Sequence, residues 1–150
     1  MHLHEFFDAG AIALDLPAPS RESVLPAVVR LLGLEARHTE QLLRLLQRRE
    51  QLGSTGVGRG VAIPHCRSLT VGRLRVAYAR LAAPVEFSAI DHQPVRHVFL
   101  IVAPPLEVSN QYLPVLGRIA QLVKDGEALR RLEQAASPDA VLAVLRERGG

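Results

Sequence analysis

The sequence predicts an α/β fold: one domain over residues 1–150, with a mixed β-sheet flanked by helices. Three observations carry that expectation. Residues 74–81 alternate apolar and polar, the period of a half-buried strand. Val95 to Ala103 is nearly continuous apolar sequence with several β-branched positions, the pattern of a strand covered on both faces. Between and around these lie segments with apolar residues at helical spacing, and such interleaving points to a sheet with helices packed on it.

In chain order, residues 1–10 read as a short helix or turn, and Ala11 to Leu16 as an edge strand. Ser20 is an N-cap, followed by Val24, Leu25, Val28, Leu31 and Leu32 on one helical face, with Gly33 as C-cap. Thr39 is expected to cap a second helix, whose face is Leu42, Leu43, Leu45 and Leu46 and which runs out near Arg49-Glu50. Residues 52–60 read as loop, with glycines at 53, 56, 58 and 60. Val61 to Ile63 reads as a short strand that Pro64 ends, because proline has no N–H for the ladder. After the strand at 95–103, Pro104-Pro105 stops the sheet. A helix follows with Leu113, Leu116, Ile119, Ala120 and Val123 facing inward and Pro114 in its first turn. Ser137-Pro138-Asp139 opens a last helix that buries Val141, Leu142, Val144 and Leu145.

Composition narrows the function. Cys66 is the only cysteine, so no internal disulfide forms and a reducing compartment is expected. The N-terminus has no basic region ahead of an apolar one, so a signal peptide is not expected. No apolar run is long enough to cross a membrane, and a cytoplasmic location follows as the expectation. Every basic residue except Lys124 is arginine, and the net charge is +3. The arginines are spread through amphipathic segments and few aromatics are available to stack on bases, which argues against nucleic acid. His2, His4, His38, His92 and His97 show no zinc-ligand spacing with Cys66, so no metal or other cofactor is expected. His92 falls in a turn and His97 at a strand edge. Ser54, Ser68 and Ser88 lack a nucleophile-elbow context.

The chemistry concentrates in residues 49–65. His65 follows a short strand and a proline, so its imidazole is expected to leave the sheet at a strand end, where α/β folds bind ligands. A neutral imidazole is a nucleophile and can take a phosphoryl group on one nitrogen while the other is held by an acceptor. The glycine-rich run before it, with the hydroxyls of Ser54 and Thr55, offers amides and donors to phosphate oxygens. It is not a Walker A loop, since no Gly-Lys-Ser/Thr follows. Arg49 at the helix end suits bidentate pairing with a phosphoryl group; Arg48 suits it equally, and Glu50 is placed to hold Arg49.

These blocks resemble enzyme IIA of the bacterial phosphoenolpyruvate-dependent sugar phosphotransferase system, fructose/mannitol type, including its nitrogen-regulatory branch. The resemblance rests on Arg49-Glu50, Ser54-Thr55-Gly56 and Gly60-Val61-Ala62-Ile63-Pro64-His65, with matching blocks at 14–32, 84–95, 99–104 and 112–120. It implies that His65 accepts a phosphoryl group from an HPr or HPr-like phosphocarrier, and that Arg49, Ser54 and Thr55 steady it. The group then passes to a IIB cysteine, or its presence signals to a regulated protein target. Two alternatives stand beside this: a nitrogen-type regulatory binding module, and a degenerate sensor that no longer transfers phosphate. Many members of the family carry a second histidine where this chain has Tyr112, and a phenol can donate to phosphate but is not a second imidazole.

Overall fold

The computed structural model describes residues 2–106 and 110–150. Six strands form one sheet. β1 (Phe7–Leu16) is the edge strand, and it pairs in parallel with β5 (Arg75–Val85). β5 runs antiparallel to the central β6 (Val95–Ala103), with Tyr78 opposite Phe99. The other side of β6 carries β3 (Val61–Ala62) and, further along, β4 (His65–Arg67), both parallel to it. β2 (Gly56–Gly58) closes that end as an antiparallel partner of β3.

The apolar run of β6 is explained by burial on both faces. Phe99, Ile101 and Ala103 join one core with residues of α3 (Tyr112–Leu122), α4 (Gly126–Gln134) and α5 (Pro138–Arg148). Val98, Leu100 and Val102 join the other, beneath α1 (Arg21–Val29) and α2 (Ala36–Leu52). The first core includes Phe7, Tyr78, Ile119 and Leu132; the second includes Val24, Val28, Leu42 and Leu46.

Several local expectations are corrected. The strand expected from Ala11 begins at Phe7, after a single 3-10 turn over Leu3–Phe6. Thr39 does not cap α2. The helix starts at Ala36, and the Thr39 hydroxyl donates back to the Leu34 carbonyl at 3.3 Å from within the first turn. α2 also continues to Leu52, beyond Arg49-Glu50. Residues 56–58, expected as loop, form β2, and Gly56 lies so close to the 86–91 segment that a Cβ there would sit 2.8 Å from that of Ala89. In α3 the buried face is Tyr112, Val115, Ile119 and Leu122, while Leu113 is 66% exposed. That helix is apolar on most of its circumference near Pro114, so its own pattern does not say which side meets the sheet. α4 had no counterpart in the sequence reading. Its inward stripe is only Ala128 and Leu132 among charged residues, yet its cap was readable, since the Asp125 carboxylate accepts from the Glu127 and Ala128 amides.

Pro64 ends β3 but does not end the pairing. Its carbonyl accepts from the Ile101 amide at 3.0 Å, and the ladder resumes with His65 opposite Ile101. His65 therefore does not leave the sheet. It opens a second short strand immediately after a break, on the same edge of β6.

Candidate phosphoryl-acceptor site

The break fixes the imidazole. His65 Nδ1 lies 2.6 Å from the carbonyl oxygen of Ile63, on the far side of Pro64. A carbonyl only accepts, so Nδ1 carries the proton and donates it. In the neutral ring this makes Nε2 the nitrogen that bears the lone pair, on a half-buried side chain.

Ile63 is itself held. Its amide donates to the Thr55 carbonyl at 2.9 Å. Thr55 is fixed in turn by Glu50, a buried carboxylate at the end of α2 that accepts from the Thr55 amide and from the Thr55 hydroxyl. Glu50 thus does not hold Arg49, as the sequence suggested. Its charge is balanced by Arg21, 3.8 Å away on α1, whose guanidinium lies over the Phe87 ring. The Ser54 hydroxyl donates to the Phe87 carbonyl at 2.6 Å and accepts from the Gly56 amide. Both hydroxyls are therefore engaged within the protein, tying the glycine-rich loop down on two sides.

Arg49 projects from the last turn of α2 and donates to the Gly53 carbonyl at 2.8 Å. Its positive charge is felt at Tyr112, across the site. Tyr112 stands beside His65, the ring centroids 6.3 Å apart and the planes tilted by 51°. Burial pushes its phenol up to about 12, the nearby Cys66 adds to that, and Arg67 and Arg49 oppose it. Tyr112 is therefore a neutral phenol across the physiological range. Cys66 is held neutral as well, its thiol pushed up to about 11 by burial.

Arg67 was not singled out from the sequence. Its guanidinium carbon is 4.5 Å from the Tyr112 ring centroid, and it donates to the Pro104 carbonyl at 3.0 Å. The signal existed: two residues on from His65 in a strand, it shares the histidine's face. Arg48 lies on the exposed side of α2 and lines a groove with Leu69.

His97 is corrected outright. It is not a strand-edge residue but lies buried in β6. Its Nδ1 accepts from the Tyr78 hydroxyl at 2.7 Å and its Nε2 faces Glu133 at 3.3 Å. Among the described residues, no cluster of three or more His, Cys, Asp or Glu is arranged to hold a metal, and no helix is long and apolar enough to cross a membrane.

The chain has known relatives. Residues 5–148 match the family described as phosphoenolpyruvate-dependent sugar phosphotransferase system, EIIA 2. The chain is 33% identical to a nitrogen regulatory protein of Bradyrhizobium diazoefficiens over 87% of its own length and 92% of that protein's. It is 31% identical to the 2-O-alpha-mannosyl-D-glycerate-specific EIIABC component of Escherichia coli over its full length, which spans only 23% of that larger protein. Among solved structures, the nitrogen regulatory protein IIA-Ntr of Neisseria meningitidis superposes with a TM-score of 0.86 at 31% identity, covering 95% of this chain and 98% of that one. IIA mannitol of Escherichia coli has the same fold, with a TM-score of 0.75 at 23% identity over 93% of this chain and 98% of that one. The chain thus belongs to the type 2 EIIA family of the phosphoenolpyruvate-dependent sugar phosphotransferase system.

Proposed function

We propose that His65 accepts a phosphoryl group on Nε2 from the phosphohistidine of an HPr-type phosphocarrier. The observation that carries this reading is the hydrogen bond from Nδ1 to the Ile63 carbonyl, which in the neutral ring makes Nε2 the nitrogen that bears the lone pair. In the transfer, the Nε2 lone pair forms the new N–P bond as the bond to the carrier's histidine breaks, and the electron pair leaves with the carrier's imidazole. The His65 ring becomes cationic, and the Ile63 carbonyl stabilises that charge because Nδ1–H already points at it. Such transfers need alignment and charge stabilisation more than further covalent chemistry. Arg49 is the residue proposed to turn from the Gly53 carbonyl onto the phosphoryl oxygens, while Ser54 and Thr55 keep the loop beneath them rigid. The phosphorylated form then donates to a IIB cysteine, or signals through its charge to a protein target, in the cytoplasm.

A regulatory role is supported by the likeness to nitrogen regulatory proteins, 33% identical for that of Bradyrhizobium diazoefficiens and 31% for that of Neisseria meningitidis. Incubation with phosphoenolpyruvate, enzyme I and an HPr should add one phosphate to the intact mass. A folded His65→Ala variant that gains phosphate equally well would overturn the assignment. A folded wild-type protein that gains none from any such carrier would favour the degenerate sensor.

A further inference from the structure

Between residues 41 and 85 the chain has one carboxylate, Glu50, against eight arginines. Glu50 is buried and committed to Thr55 and Arg21, so this stretch shows no acid at the surface. Four of the arginines are directed elsewhere: Arg59 to the Lys124 carbonyl, Arg73 to the Leu74 carbonyl and Asp8, Arg75 to the Leu32 carbonyl, and Arg80 to the end of α4. The remaining four, Arg44, Arg48, Arg49 and Arg67, lie on α2 and β4, which pack against each other at the His65 site. None of the four forms an ion pair among the described residues.

Exposed leucines lie among them. Gln41, Arg44, Leu45, Arg48 and Leu52 fall in one stripe along α2 at helical spacing. Leu69, 90% exposed and two residues beyond β4, lines a groove of about 320 Å³ together with Gln41, Arg44, Leu45 and Arg48 of that stripe. Leu52 is 87% exposed at the end of the stripe nearest the glycine-rich loop. Uncovered leucines ringed by arginine are the make-up of a protein contact, because leucine gains from being covered and the weakly hydrated guanidinium is readily desolvated. An arginine rim whose nearest exposed acid along α2 is Glu40, one turn before Arg44, also selects the partner, since like charges repel at an interface and opposite ones speed encounter.

We propose that this face docks a phosphocarrier whose own histidine is surrounded by apolar side chains and an outer ring of aspartate and glutamate. The proposal rests on the reading of His65 as acceptor and adds the chemistry of the protein that delivers the group. It also excludes the opposite case, a carrier with a basic rim.

The test compares three phosphate donors acting on the full chain: a phosphorylated HPr-type carrier with an acidic rim, one with a basic rim, and phosphoramidate, which needs no docking face. At low salt the acidic carrier should transfer about tenfold faster or more, an advantage that closes as NaCl rises from about 0.05 M to about 0.5 M. Arg44→Glu combined with Arg48→Glu should lower kcat/KM for the acidic carrier by a similar factor, mainly through KM, and leave the phosphoramidate rate unchanged. Equal rates from the two carriers, a faster basic carrier, or an unaffected double variant would each overturn the proposal. So would salt-sensitive retention of the protein on duplex DNA that depends on Arg44 and Arg48, which would give the face to a phosphate backbone instead. If none of the three donors, phosphoramidate included, labels His65, the acceptor reading itself fails and the docking proposal falls with it.

Discussion

His65 and Ile63 are joined across a proline: the ring Nδ1–H of one donates to the main-chain carbonyl of the other at 2.6 Å. Residue 64 must present its carbonyl to Ile101 and has no N–H of its own to place, so the chain can bend there without leaving a donor unpaired. The first prediction follows directly. Nitrogen NMR of the unphosphorylated protein should show His65 as the Nδ1–H tautomer, and the phosphorylated protein should carry phosphate on Nε2. Phosphate on Nδ1 would contradict the arrangement.

The second concerns Glu50. Its carboxylate accepts from both the amide and the hydroxyl of Thr55, whose carbonyl holds the Ile63 amide. Glu50→Ala should leave a buried amide and hydroxyl without an acceptor and destabilise the protein by about 1–3 kcal/mol in urea denaturation. Its phosphorylation should also slow, since the loop that holds Ile63 loses its anchor. Unchanged stability together with an unchanged rate would show that the clamp has no role.

Tyr112 supplies the third. Its phenol stays neutral because burial pushes its ionisation up to about 12. Position 112 should then contribute no ionisation to the pH dependence of phosphorylation between about pH 5 and 9. Tyr112→His introduces an imidazole that titrates near ~6.5 when unperturbed, and a new inflection should appear in the rate profile on that side. An identical profile for the two proteins would mean that this side chain does not sense the transferring group.

His97 gives the fourth, which bears on stability alone. Burial holds it down to about 4, with Arg96 and Arg80 acting in the same direction. The unfolded chain binds a proton near ~6.5, so below that pH protons favour the unfolded state. Stability should therefore fall as pH drops from about 6.5 to 4, by up to about 3 kcal/mol. His97→Gln keeps a group able to pair with Tyr78 and Glu133 but does not titrate, and should flatten that slope. A slope of the same size in the variant would place the acid sensitivity elsewhere.

The sequence and the structure agree best where the local pattern is strong. The strand Val95–Ala103 was readable to the residue because β-branched and apolar side chains on both faces leave no alternative. The last helix was equally legible from Ser137-Pro138, and the Ser137 hydroxyl does accept from the Ala140 amide. Thr39 misled because a threonine looks the same in sequence whether it caps a helix or bonds back within it. α4 escaped because two buried residues do not make a detectable stripe.

By itself the sequence determined the α/β class and the family, and it carried the His65 motif on which the acceptor proposal rests, since these depend on residue types and short-range spacing. It also held the charge asymmetry of residues 41–85, visible by counting. Only the tertiary structure decided what these residues do to one another. It turned Glu50 away from Arg49 and onto Thr55, set Arg67 over the Tyr112 ring, and resumed the ladder after Pro64 so that His65 opens a second strand just past the break. The physical reason is that hydrogen-bond partners are chosen by which groups burial brings together, and burial is settled by the packing of α2, β4 and α3 around β6 rather than by any one stretch of chain.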